Sequence, residues 1–309
     1  MNLEQLQSFI EVARIGHFTR AAEHLHLAQP SLSRQISTLE NDLGSELFHR
    51  ARGNITLTAA GETLLPLAKR MLADAETVRH EMQELAGLNK GRVRLGAPPT
   101  LCISMVPEVL GTFHQNHPGI DLHLSESGSR HLLDQLAGGT LDLALVVTSD
   151  HDTAKMSSLE TTQLLREDLV VIGSASDRKF AQKTAFTLTE LADVPQIVFD
   201  KSYDLRATTM NAYRARGLSP KVVLEGAEMD AVLRLVERGL GVAIVPAMVL
   251  FDRPGLRSVP LVDPGLTRTL GLAHRKDVSL TRAATAMQEL IVRTAAGFAA
   301  RGLGITSLG

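Results

Sequence analysis

The chain runs Gln29-Pro30-Ser31-Leu32-Ser33-Arg34 and, a little further on, Arg50-Ala51-Arg52-Gly53. Short hydroxyl and amide side chains beside a guanidinium form directional hydrogen bonds without bulk. On a helical wheel with Leu32 at zero, Ile36, Leu39 and Leu43 fall within about 40° of it by the 3.6-residue period. Arg34 lies near the opposite pole with Pro30, Ser37 and Asn41, and Ser31, Ser33 and Thr38 stand on the flanks. A helix with such a face suits a DNA major groove, which is about 12 Å wide and excludes bulky surfaces. The same pattern also fits an ordinary three-helix core with a solvated polar side.

Those residues need elements to hold them. Asn2 can cap a helix with Leu3, Leu6, Phe9, Ile10 and Ala13 on one face and Gly16 at its end. A second short helix begins at His17 or Thr19, breaks at His26-Leu27-Ala28-Gln29, and a third starts behind Pro30, which suits a first turn. Two helices with a tight break between them form a helix-turn-helix. Leu47 and Phe48 then enter a hairpin, Ile55 and Leu57 return, and Arg50 to Asn54 is its turn. Arginines on such a wing can reach phosphates or a minor groove.

Thr58 can cap a long helix that Gly87 ends. Its apolar positions, Leu64, Ala68, Met71, Ala75, Val78, Met82 and Leu85, alternate steps of four and three, a heptad seam. About thirty residues at ~1.5 Å each span roughly 45 Å. That is too long to bury inside the small module before it, so the seam is expected to pair with a second copy. The alternative is an amphipathic helix lying on its own core.

Charge arithmetic does not favour DNA. The 309 residues carry a formal net charge of −2, and residues 1–88 hold eight Lys/Arg against eleven Asp/Glu. A nucleic-acid reading must therefore rest on where charges sit: two arginines on the wing and one at the exposed pole of the third helix. Apolar residues make up 44%, which excludes a disordered chain. No apolar run reaches the length of a membrane span, and the first residues form a polar helix where a leader would be apolar, so a cytoplasmic location is expected. Cys102 is the single cysteine, which excludes an internal disulfide and fits a reducing compartment. It reads as a small buried residue, with a sulfenic acid or mixed disulfide left open. No metal-ligand spacing, cofactor loop or nucleophile elbow is present, so no metal, no cofactor and no enzyme activity are expected.

Lys90-Gly91 is a candidate hinge. Beyond it apolar strands and helices alternate as βαβαβ, then again from Asp168 to Pro246, which argues for parallel sheet flanked by helices. Leu256 to Arg275 reads as a hairpin, and Thr281 to Gly302 as the last long helix. Two lobes joined by crossings near Ser158–Thr162 and Pro264–Arg268 fit this order, with a ligand cleft at the carboxyl ends of the strands. Thr100 follows Gly96-Ala97-Pro98-Pro99, where N–H groups at a helix start plus a hydroxyl would hold a small anion, with Leu101 beside it. Thr100 can equally cap its own helix. Ser127, Thr148, Phe199, Tyr203, Glu228 and Met229 end strands or follow them and are candidates for the remaining wall; loop or core duty is the alternative for each.

The run from Leu3 to Gly61 resembles the N-terminal domain of the LysR-type transcriptional regulators over its whole length. It departs at Ala28, where many members have Ser or Thr. The stretches VPEVLGTFHQNHPGIDLHLSES, LAGGTLDLALV and LVERGLGVAIVP are similar to the family's effector-binding domain, which has the two-lobed fold of periplasmic solute-binding proteins. The resemblance implies that Gln29, Pro30, Ser31, Ser33 and Arg34 approach bases and that Arg50 and Arg52 grip the backbone. It implies a homotetramer on inverted-repeat double-stranded DNA, and a small-molecule effector held near Thr100, a carboxylate by preference. The expected organisation is α/β: a winged helix-turn-helix over 1–58, a dimerisation helix over 59–89, and the two-lobed domain over 90–309. Lobe I would take about 91–161 and 267–309, lobe II about 162–266. The rivals are a solute-binding protein and a cleft enzyme of the same fold.

Overall fold

A computed structural model describes residues 1–51, 54–85, 91–148, 158–200, 203–302 and 304–308. The chain divides into two compact units, Met1–Gly91 with Gln135–Thr140, and Arg92–Asp134 with Leu141–Gly309. Gly87 and Lys90, the expected helix end and hinge, lie outside the described residues.

In the first unit Asn2 caps α1 (Leu3–Ile15) through a capping box: its side chain accepts from Gln5 N, and the Gln5 side chain accepts from Asn2 N. Helix α2 (Phe18–His24) follows. It ends with His26 in the left-handed region at φ 54°, Leu27 N donating to Ala22 O at 2.8 Å and His26 N to Glu23 O at 3.1 Å. This is a Schellman closure with histidine where glycine is usual, and it produces the tight break before α3 (Gln29–Leu43). Leu32, Ile36 and Leu39 of α3 are fully buried with Leu6, Phe9, Val12, Ala21 and Ala22. Leu43, expected in the same stripe, is 39% exposed because the last turn before Gly44 runs past the core.

Strands β1 (Phe48–Ala51) and β2 (Asn54–Leu57) pair antiparallel, Phe48 opposite Leu57 and Ala51 opposite Asn54. They extend further toward the tip than the five-residue turn expected from sequence. The Phe48 ring lies 5.3 Å from Phe9 and 6.0 Å from Phe18, which fastens the wing to the helices. Thr58 caps α4 (Ala59–Leu85) by accepting from Gly61 N at 3.1 Å. Gly61 lies so close to the wing that a Cβ there would stand 2.3 Å from Leu47 O.

From residue 91 onward the elements are, in order, β3 (Gly91–Ala97), α5 (Pro99–Cys102), α6 (Met105–Asn116), β4 (Ile120–Glu126), α7 (Ser129–Ala137), β5 (Leu143–Thr148), β6 (Leu159–Ser174), α8 (Arg178–Ala181), β7 (Phe186–Thr187), α9 (Leu188–Ala192), β8 (Gln196–Phe199), α10 (Asp204–Ala215), β9 (Val222–Ala227), α11 (Met229–Glu237), β10 (Ala243–Pro246), β11 (Leu256–Val262), β12 (Leu266–Arg275), α12 (Arg282–Ala300) and β13 (Ile305–Ser307). Parallel pairing appears where βαβ order predicts it, β3 with β5 and β8 with β9. The 16-residue β6 is the spine. Along one edge it pairs antiparallel with β12 and then β11, and along the other with β13 and then β10.

Two expectations change here. Strands β11 and β12 do not form a hairpin: both run antiparallel to β6, end to end on the same edge, because Asp263-Pro264-Gly265 continues the chain past the spine without reversing it. The lobes have separate cores, and they change over inside β6. Leu164 and Leu165 belong to the core with Val93, Val109, Phe113 and Ile291, whereas Leu169 and Val171 belong to the core with Val232, Val236 and Ile244. The crossing is thus a strand pair centred on Glu167 and Arg268, beyond Ser158–Thr162 on the first strand, because a long two-stranded ribbon satisfies its own backbone while spanning both cores.

Candidate functional site

The first site is the surface of α3. With Leu32, Ile36 and Leu39 turned inward, Gln29, Pro30, Ser31, Arg34, Thr38 and Asn41 are exposed, and Ser33 and Ser37 are half-buried. Gln35 is drawn toward α1, where its Oε1 accepts from the Ser8 hydroxyl. Glu40 is also buried; its Oε1 accepts from Leu47 N at 2.9 Å and so anchors the start of the wing to α3. Ala28 at the N-cap supplies no side-chain acceptor, and Pro30 removes one of the N–H groups that would need one. Arg50 occupies a described strand position, and Arg52 lies outside the described residues.

The second site is a cavity of about 240 Å³ in the second unit, lined by Pro98, Pro99, Thr100, Glu126, Ser127, Gly128, Val147, Tyr203, Asp204, Leu205, Glu228 and Arg268. It draws on both lobes. The Tyr203 hydroxyl donates to the Glu228 carboxylate, and Tyr203 stacks on Phe199 at 5.4 Å. Burial, then the hydrogen bond to Glu228, pushes the Tyr203 phenol up from its ordinary range, so it stays protonated as a donor. Ser129 N donates to Asp204 Oδ2 at 3.3 Å, and the Ser129 hydroxyl accepts from Val147 N at 3.0 Å. Beneath these groups Arg268 Nη1 donates to the Thr100 hydroxyl at 2.9 Å and Nε to Glu167 Oε1 at 2.8 Å. Glu167, fully buried, also accepts from Met248 N at 3.0 Å. A larger cavity, about 620 Å³, lies beside β11 and β12, with Asp168 as its one charged lining residue among those described.

Two families match the sequence: "Bacterial regulatory helix-turn-helix protein, lysR family" over residues 3–62, and "LysR substrate binding domain" over residues 86–306. The chain belongs to the LysR family. An uncharacterized HTH-type transcriptional regulator of Bacillus subtilis (strain 168), YybE, is 31% identical over 292 residues, covering 94% of this chain and 98% of the relative. A probable nitrogen assimilation transcriptional activator of Synechococcus elongatus is 34% identical over 275 residues, 88% of each chain. The LysR-family regulator CbnR, solved as a full-length chain complexed with its target DNA, is 24% identical with a TM-score of 0.67, over 95% of this chain and 100% of that one; this likeness shows the fold.

This LysR-type chain is therefore a DNA-binding transcriptional regulator with a substrate-binding domain that takes a small-molecule effector. The cavity gathers Thr100, Ser127, Tyr203 and Glu228. It does not gather the other expected wall residues. Leu101 and Met229 face the two cores, Phe199 backs Tyr203, and the Thr148 hydroxyl donates to Thr269 O. For Leu101, Met229 and Thr148 an adjacent residue, Thr100, Glu228 or Val147, lines the cavity instead, as the change of direction from one residue to the next along a strand or helical turn allows. The expected anion cradle is also reduced. Helix α5 is a single turn, Pro98 and Pro99 have no N–H, and Leu101 N and Cys102 N already donate to Pro98 O. Sequence reading missed Glu126, Asp204 and Arg268. Arg268 lies far along the chain from Thr100, and only the pairing of β12 with β6 brings it there.

Proposed function

We propose that the exposed face of α3, with Gln29, Pro30, Ser31, Ser33 and Arg34, reads base edges in a major groove, while Arg50 and Arg52 contact phosphates or a minor groove at the wing. The observation that carries this reading is the division of α3 into a fully buried apolar stripe and an exposed face of short polar side chains and one arginine. Two copies pair through the α4 seam, set two such helices on an inverted repeat, and assemble further to a tetramer. The effector occupies the cavity around Thr100, Ser127, Tyr203 and Glu228. By binding one arrangement of the lobes better than another, it shifts the placement of the DNA-binding pair. The protein works in the cytoplasm and as a regulator without catalytic activity of its own. Its relatives carry regulator names, and no helix among the described residues is long and apolar enough to cross a membrane.

The test is the double substitution Ser33→Ala with Arg34→Ala. Each lost base contact costs about 1–3 kcal/mol, so removing two costs about 2–6 kcal/mol, and specific affinity is expected to fall roughly thirtyfold to ten-thousandfold while the fold and ligand response persist. Unchanged binding to a selected genomic fragment would remove α3 from the interface.

A further inference from the structure

We propose that the effector of this chain is a small zwitterion of the amino-acid type, its ammonium group set among Glu126, Asp204 and Glu228 and its carboxylate toward Thr100 and Ser127. The inference rests on the cavity being the effector site and adds the ligand's chemistry.

Charge is the first argument. Among the described lining residues there are three carboxylates, Glu126, Asp204 and Glu228, and one cation, Arg268. Arg268 does not balance them, because its charge is committed to Glu167: Nε and Nη2 stand 2.8 and 2.7 Å from the same Oε1, and Glu167 is fully buried behind it. The cavity wall thus carries an excess of negative charge in a space of about 240 Å³. This is smaller than the ~300–1,000 Å³ of sites for drug-sized ligands. Like charges so confined disfavour one another, and a ligand that brings a positive group removes that cost.

The second argument is an unused donor. Thr100 is only 2% exposed yet lines the cavity. Its hydroxyl accepts from Arg268 Nη1 at 2.9 Å, which leaves its own proton to donate. A hydroxyl donor among these carboxylates calls for a ligand that brings both an oxygen and an ammonium. The carboxylate expected from sequence keeps its place; the amine is the new element. A plain carboxylic acid would satisfy the donor and worsen the repulsion.

Calorimetric titration of the full chain with the protein amino acids, and with the matching acids that lack the amine, decides the matter. At least one amino compound is expected to bind, and its deaminated partner to bind roughly ten- to a hundredfold more weakly, as loss of a charge-assisted hydrogen bond implies. Glu126→Gln and Glu228→Gln are each expected to weaken the amino compound by a similar factor, with thermal unfolding temperatures near that of the parent. If no amino compound binds, or the deaminated acid binds as tightly, or both glutamine variants leave affinity unchanged, the inference is overturned. Ser127→Trp, which fills the cavity, separates the two claims. Binding that it blocks but that is indifferent to the amine overturns only this inference, whereas effector binding that survives it removes the cavity from the proposed function.

Discussion

Arg268 and Glu167 place a charge pair at the point where β6 and β12 pass from one core to the other. Removing either partner strands a buried charge, which costs about 3–5 kcal/mol in such pairs. An Arg268 variant therefore reports on folding before it reports on ligand. Cys102 presents the opposite case. Its thiol is pushed up to about 12 by burial first and by Glu126 second. At pH 8 only about one thiol in ten thousand is then ionised, and it is the thiolate that reacts. The folded protein is expected to resist iodoacetamide at pH 8 and to be labelled promptly once unfolded. A raised thiol pKa adds stability that is present below the unfolded value and is lost as pH climbs through the folded one. Cys102 is half-buried, where the sequence reading expects a buried residue, and rapid labelling of the native chain would contradict the suppression of its thiolate.

At the scale of elements, α4 divides its own seam. Leu64 and Ala68 are buried in the helix-turn-helix core, while Met71, Val78 and Met82 are 40, 59 and 57% exposed. A heptad seam that leaves its core unfilled beyond the second position is expected to be completed by a second copy. Val78→Lys with Met82→Lys should convert a dimer to a monomer in sedimentation, with unchanged helix content by circular dichroism. A dimer of undiminished stability would place the contact elsewhere. The periodicity of α3 and α4 was legible because amphipathic helices write their buried face into local spacing. Leu43 was misread because a wheel does not say where the core ends. The long β6 and the end-to-end arrangement of β11 and β12 were not legible, since pairing partners far apart in sequence leave no local period. The cavity shows the same division. Thr100, Ser127, Tyr203 and Glu228 stand at element ends that a strand-and-turn reading can find. Arg268 sits inside a strand and reaches the cavity only through tertiary pairing.

On the scale of the whole molecule, a chain with negative overall charge binds a polyanion only by concentrating its cations and doubling its contacts. One short helix discriminates sequence by a few contacts of about 1–3 kcal/mol each, and a symmetric pair doubles that in one binding event. On the proposed function the effector would then act by differential affinity for lobe arrangements. The most direct measurement is a footprint of the purified full chain on a fragment selected from genomic DNA against random competitor. The account predicts two protected half-sites related by inversion and centred about one helical turn, or a multiple of it, apart. Protection of a single half-site, or retention of DNA with no preference over competitor, would contradict it.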